Sequence, residues 1–413
     1  MKSKANKILG DIKSELYLLI PIISMLFWSL FYVFKENFDI KSIDFYLIYK
    51  AGRHFLLDPR MLYDPSLRMF HLPVFVMFIA FGFCFLPFSI AEYLFYAFIT
   101  IVAIIFIFEY NKILILMDVN EKLVRFLFLM IISNGFIVFY QFFMSQYKFI
   151  AGLLMFIVLR RELQYTKEGN EKTYNFYFVN YLLFAFVTAI FPVFIFFLLV
   201  YLFQNIPLKD IMKYKNIKKY LILLLSFAIE NFIIFIYPSL ILDIFNLFQR
   251  HSIAERASWG FPIFYLKEWE WLNSDDYTSV ILISTILIAV ITFILGFYSN
   301  LPIEQKFGYF SLIWIIFSTF AERVLVILIP LLLLLLIPFL NQENNLFDFI
   351  KNNFIISIGL LSVLAICFMP DANSIYNYAP FLQEFPFVIF MYIRWIVLIV
   401  IFVSSFLQTH FYH

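Results

Sequence analysis

Most of the groups near the front of this chain that could do chemistry lie between Lys35 and Leu72. That stretch reads KENFDIKSIDFYLIYKAGRHFLLDPRMLYDPSLRMFHL. Asp44 is its best candidate for a proton acceptor, because a hydroxyl is a weak nucleophile until a positioned carboxylate takes its proton. A phosphate leaving group gains charge as it departs, and fixed cations must meet that charge. Lys50, Arg53, Arg256 and Arg323 are the candidates. An arginine fork can hold phosphate bidentately, which lysine cannot. Asp44 also opens a run in which Tyr46, Tyr49, Phe55, Leu56 and Leu57 alternate with Lys50, Arg53 and His54. This pattern predicts a helix lying in a membrane interface, apolar side down. An aspartate in its first turn is also an ordinary cap favoured by the helix dipole, so capping and catalysis both stay open for Asp44. Leu62-Tyr63-Asp64-Pro65 is a turn signature.

Three other places carry polar chemistry. Residues 248–271 gather His251, Arg256, Trp259, Trp269 and Trp271, which suit sugar stacking and equally an interfacial aromatic belt. Glu322-Arg323 sits between two apolar runs, where the arginine could meet a ligand or simply snorkel from a helix end. Glu230 and Arg394 fall inside apolar runs, and an ion pair between helices is the plainer reading for them. Cys84 and Cys367 lie in apolar runs and read as small buried hydrophobes. No metal or cofactor is expected. Asp275-Asp276 reads as a helix-start pair.

The elements that must position these groups are set by composition. The 413 residues are 63% hydrophobic and only 14% charged, with a mean hydropathy of +0.90. A soluble domain is about 45–50% apolar and about 25% charged, so this chain cannot cover its surface with polar groups and a bilayer must be its solvent. A net charge of +2 gives no support to nucleic-acid binding. Apolar runs predict about twelve transmembrane helices, near 16–34, 73–88, 91–108, 123–143, 147–159, 176–203, 220–237, 278–297, 307–320, 324–340, 354–368 and 387–406. Glu109 to Lys122 reads as a polar loop. The lysines at positions 2, 4, 7 and 13, and the stretch LKDIMKYKNIKKY, place both regions on the cytoplasmic side. Six crossings separate them, provided Pro192 only kinks its helix. External loops then fall at about 35–72, 238–277 and 370–386, with the junction Ala321-Glu322-Arg323 on the same side. The chain reads as one all-α, polytopic membrane domain over 1–413, with an interfacial helix in its first external loop.

The order Asp44-Phe45-Tyr46, Tyr49, Lys50-Ala51, Leu62-Tyr63-Asp64-Pro65, Phe70, Pro73 and Leu86-Pro87 resembles one glycosyltransferase family. This is the polyprenyl-phosphate-mannose-dependent α-1,2-mannosyltransferases of the GT-C superfamily. Ser145-Gln146 resembles the family's Gly-Gln step and Phe191-Pro192 its Lys-Pro step. Ser318 to Leu336 resembles its acidic-His-Tyr junction before a Leu/Pro-rich helix. The chain departs from the pattern at His71, where an aromatic is common, at Ser145 for Gly, at Phe191 for Lys, and at Arg323-Val324 after Glu322. The resemblance implies an inverting transfer of a hexose, by family default mannose, from a polyprenyl-phosphate donor to a hydroxyl of a glycolipid or glycan acceptor. It implies Asp44 as general base. It implies substrate contacts from Tyr49, Lys50, Arg53, Tyr63, His71, Gln146, His251, Arg256, Trp259, Glu322 and Arg323. The site would face the extracytoplasmic side of a prokaryotic plasma membrane, with membrane lipids as further partners. The helix count, however, places Gln146 toward the cytoplasm. Two rival classes stay open. A lipid-linked-sugar flippase or transporter would favour inverted repeats and Gly/Pro-broken helices, against ten glycines and no clear repeat here. An inactive scaffold of an envelope-glycan assembly complex would accommodate the changes at Phe191 and Arg323.

Overall fold

The computed structural model describes residues 16–33, 43–63, 71–134, 147–204, 208–243, 301–317, 321–343 and 346–352, with a few isolated positions besides. Among these residues the fold is all-helical and contains no strand. The helices are α1 (Leu19–Val33), α2 (Ile43–Leu57), α3 (Pro73–Phe83), α4 (Phe88–Leu116), α5 (Lys122–Ser133), α6 (Lys148–Lys167) and α7 (Tyr174–Ile190). Then come α8 (Ile195–Leu202), α9 (Tyr214–Glu230), α10 (Phe232–Ile236), α11 (Ile303–Phe317), α12 (Ala321–Leu333), α13 (Ile337–Leu340) and α14 (Leu346–Asn352). One helix, α4, is long and apolar enough to cross a membrane, and several shorter apolar helices accompany it.

Cross-helix contacts fix the directions. Tyr17 Oη donates to Asn111 Oδ1 at 2.8 Å, and Ser29 Oγ lies 2.6 Å from Thr100 Oγ1, so α1 and α4 are antiparallel. Arg125, at the start of α5, covers the Tyr17 ring while Ser24 bonds Asn134 at its far end, so α5 runs with α1. The pairs Phe106–Phe149 and Tyr110–Phe156 place α6 parallel to α4. Tyr165 on Phe176 closes an antiparallel α6–α7 hairpin. Lys218 over Tyr174 and Lys219 over Tyr177 make α9 parallel to α7. Tyr110 Oη donates to the Pro330 carbonyl at 2.9 Å, which sends α12 back toward the end where α4 finishes.

The bundle therefore has two ends. One holds the start of α4, the start of α6, the end of α7 and the start of α12. The other holds the end of α4, the α6–α7 turn and the lysine-rich start of α9.

Two boundaries differ from the hydropathy reading. The expected span at 73–88 contains α3, which has 11 residues. At 1.5 Å per residue it is about 16 Å long, half of what a crossing needs. It turns at Cys84–Pro87 and folds back along α4, with Phe83 edge-on to Phe95. At the second boundary, the expected loop from Glu109 is helix through Leu116. Glu109 stays inside because Arg160 and Lys112 both bond its carboxylate. Pro192 marks a reversal: Asn180 on α7 bonds Tyr201 on α8, which requires the two helices to lie antiparallel. Phe191 before the proline is extended (φ −147, ψ 100), as the proline ring demands of its neighbour.

Candidate active site

Asp44 lies in the first turn of α2 and is half-buried. The periodicity of this helix is clean. Phe45, Ile48, Tyr49, Gly52 and Phe55 are buried, while Tyr46, Lys50, Arg53 and Leu57 are exposed. The buried side rests on the α3–α4 hairpin, where Phe45 stacks on Phe95 at 4.2 Å and also meets Phe83 and Phe88. Gly52 lets the backbones approach. A Cβ there would stand 2.6 Å from Cys84 Sγ and 3.2 Å from the Ala80 Cα.

Polar groups tie α2 to the turn beneath it. Tyr49 Oη donates to the Leu86 carbonyl at 2.8 Å, Arg53 to the Cys84 carbonyl at 3.0 Å, and Cys84 Sγ to the Tyr49 carbonyl at 3.4 Å. The first two satisfy carbonyls left open in the turn where α3 ends. Tyr49 is thereby occupied in holding the scaffold. Arg53 remains exposed and has donors to spare, since a guanidinium carries five. The Lys50 ammonium is 4.9 Å above the Tyr46 ring and also faces outward. Beyond the helix, Asp58 caps the short turn Pro59–Met61. Hydrogen bonds from Arg60 hold its carboxyl below the usual carboxylate range.

A second cluster forms where α3, α6 and α7 meet. His71 is buried, and both of its ring nitrogens are engaged. Nδ1–H donates to the Ile190 carbonyl, and the Tyr147 hydroxyl donates to Nε2. This pattern fixes one neutral tautomer. The Leu72 amide bonds the Ala189 carbonyl at 2.9 Å, so the loop before α3 caps two open carbonyls of α7. Tyr63 Oη donates to the His71 carbonyl at 2.9 Å. His71 and Tyr63 therefore pin the site together; neither reaches out to a ligand.

Lys148 is 3% exposed at the start of α6, with its ammonium 3.9 Å from the Tyr147 ring centre and 5.6 Å from that of Phe191. The start of α6 thus brings a positive charge beside the Phe191-Pro192 break. Ile327 of α12 approaches Gly152, one turn into α6, which brings the start of α12 to the same level. α2 packs on α4 at Phe88 and Phe95, of which Phe95 is about three turns further out than the Phe106–Phe149 contact, roughly 16 Å along the axis.

Asp44, Lys50 and Arg53 thus share one platform, and Tyr63, His71, Tyr147 and Lys148 form a floor beneath it. The Glu322-Arg323 step is the first turn of α12. Gln146, His251, Arg256 and Trp259 lie outside the described residues, as do Asp64, Arg394 and Cys367. Tyr147 directly follows Gln146 and belongs to the floor. The sequence reading missed Tyr147 and Lys148, although a lysine leading an apolar run was a legible signal. Among the described residues no group of His, Cys, Asp and Glu could hold a metal ion.

No protein family, no curated protein and no solved structure matches this chain.

Proposed function

We propose that the chain is a multi-pass membrane glycosyltransferase that moves a hexose from a polyprenyl-phosphate donor to a hydroxyl of a glycolipid or glycan acceptor. The observation that carries this reading is the gathering of sequence-distant pieces at one end of the bundle. Asp44 on α2, the His71–Tyr147–Lys148 floor, Phe191-Pro192 and the start of α12 all lie toward that end, opposite the lysine-rich end.

An amphipathic donor fits such a tiered site. Its polyprenyl tail lies among apolar helices, its phosphate meets Lys148, and its sugar stands further out toward α2, where Lys50 and Arg53 are exposed. Asp44 takes the proton of the acceptor hydroxyl as that oxygen attacks the anomeric carbon. The bond to the phosphate oxygen breaks, the electron pair stays on the phosphate, and one displacement inverts the centre. The nearby cations stabilise the charge that the phosphate gains.

The helix directions bear on sidedness. α1, α4, α5, α6, α7 and α8 alternate in direction, so the lysine-rich stretch lies at the end where α1 begins. Asp44 stands at the end opposite that stretch. The positive-inside rule puts the side of Asp44 extracytoplasmic.

Mass spectrometry of glycolipids from a deletion strain tests the reading. A transferase predicts a glycan lacking one hexose and an unspent donor pool on the outer leaflet. Loss of every donor-dependent hexose, with donor accumulating on the inner leaflet, would point instead to a flippase.

A further inference from the structure

At the end opposite α2, Lys215, Lys218 and Lys219 on α9 gather beside Lys172 from the α6–α7 turn. Lys172 is paired with Glu162, which also accepts from the Tyr201 hydroxyl. Among the described residues, the three lysines of α9 have no carboxylate partner. The ammonium groups of Lys218 and Lys219 lie instead on aromatic faces. Lys218 is 5.4 Å from the Tyr174 ring and 4.5 Å from that of Tyr214, and Lys219 is 4.5 Å from Tyr177. Burial, then the charges of Lys215 and Lys172, pull the Lys219 ammonium below the usual lysine range. The Tyr220 hydroxyl beside them is buried without a hydrogen-bond partner. Glu162, already bonded to Lys172, is the carboxylate whose charge reaches Lys219; the cations outnumber it, and with a hydroxyl beside them the group suits an anion.

The rest of α9 says what the anion carries. Leu221, Leu225, Ile229, Phe232 and Ile236 follow Lys218 at helical spacing on one face. They are 58%, 53%, 48%, 46% and 57% exposed. This apolar stripe continues for about 22 Å from the lysines, longer than the roughly 15 Å depth of one leaflet, so acyl chains beneath the headgroup can lie along it. Free phosphate would use the lysines and leave the stripe idle.

We infer that Lys215, Lys218 and Lys219, with Lys172 and Tyr220, bind the headgroup phosphate of an anionic phospholipid of the cytoplasmic leaflet, its acyl chains lying on the outer face of α9 and α10. The inference rests on the bilayer reading above and is independent of sugar transfer.

The full chain in nanodiscs of phosphatidylcholine, with or without phosphatidylglycerol, tests it. Phosphatidylglycerol is expected to raise the melting temperature and to remain bound in native mass spectrometry after delipidation. Replacing Lys215, Lys218 and Lys219 together by Gln should weaken retention about a hundredfold, about fivefold for each lysine. The corresponding triple Arg variant should retain the lipid. Equal retention by the Gln variant, or loss in the Arg variant, overturns the site. Displacement of the lipid by millimolar inorganic phosphate overturns its assignment to lipid. A chain that stays soluble without lipid or detergent contradicts the bilayer reading itself, which separates the two failures.

Discussion

At the residue scale the site depends on which polar groups are engaged and which are open. His71 and Tyr63 face inward and hold the α3 and α7 termini together. Replacing His71 by Leu strips partners from the Ile190 carbonyl and the Tyr147 hydroxyl. The expected loss is about 1–3 kcal/mol of stability, read as a lower midpoint in thermal unfolding. Asp44 is different. Asparagine keeps the shape of Asp44 in the first turn of α2 and loses only the charge that the helix dipole favours, worth about 0.3–1 kcal/mol, so Asp44→Asn separates that small term from proton transfer. Its stability should stay within about 1 kcal/mol of the parent, while turnover falls about 10²–10⁴-fold. Lys148→Met should raise the concentration of donor needed for half-maximal rate, because the change removes a charge from the floor but leaves the base in place. The types of Asp44, Lys50, Arg53, Tyr63 and His71 were legible in the sequence, but their partners were not. Nothing in the spacing of Tyr63 and His71 reveals that their hydrogen bonds turn inward. Lys148 was hidden for a related reason: its setting comes from Tyr147 and Phe191, which the chain brings together only in three dimensions.

At the element scale the pairing of α2 with the α3–α4 hairpin positions Asp44. Gly52 is its closest approach, and the Ala80 backbone cannot yield as a side-chain tip can. Gly52→Ala should therefore cost about 1–3 kcal/mol, although alanine is the better helix former. Urea or thermal unfolding checks the sign, and a stabilised variant would contradict this packing. α2 itself was readable, because its buried and exposed positions alternate at helical period around Asp44. α3 was not. Its residues are as apolar as a crossing helix, and hydropathy cannot tell a short helix folded on its neighbour from one that spans. The reverse holds at Glu109, where charge suggested a loop. Arg160 and Lys112 neutralise that carboxylate and the helix continues. Pro192 was visible as a break, but only the bond from Asn180 to Tyr201 distinguishes a reversal from a kink.

At the scale of the whole molecule two ends carry different chemistry. The all-helical fold and the apolar bulk followed directly from composition. The two-ended arrangement needed contacts between helices far apart in sequence, such as Tyr17 with Asn111 and Tyr110 with Pro330. It makes a prediction about sidedness. An introduced cysteine at position 50 should react with a membrane-impermeant maleimide from outside intact cells, and one at position 215 only after the cells are opened. Equal labelling of both would contradict the orientation.

The reading as a whole stands on Asp44 acting at a lipid-borne sugar. Its most direct test is the release of polyprenyl phosphate from polyprenyl-phosphate mannose by the purified full chain, with a membrane glycolipid extract as acceptor. The account predicts acceptor-dependent release by the parent protein, and loss of release in Asp44→Asn while donor binding persists. Release that continues unchanged in Asp44→Asn, or donor binding with no release in the parent, would contradict it.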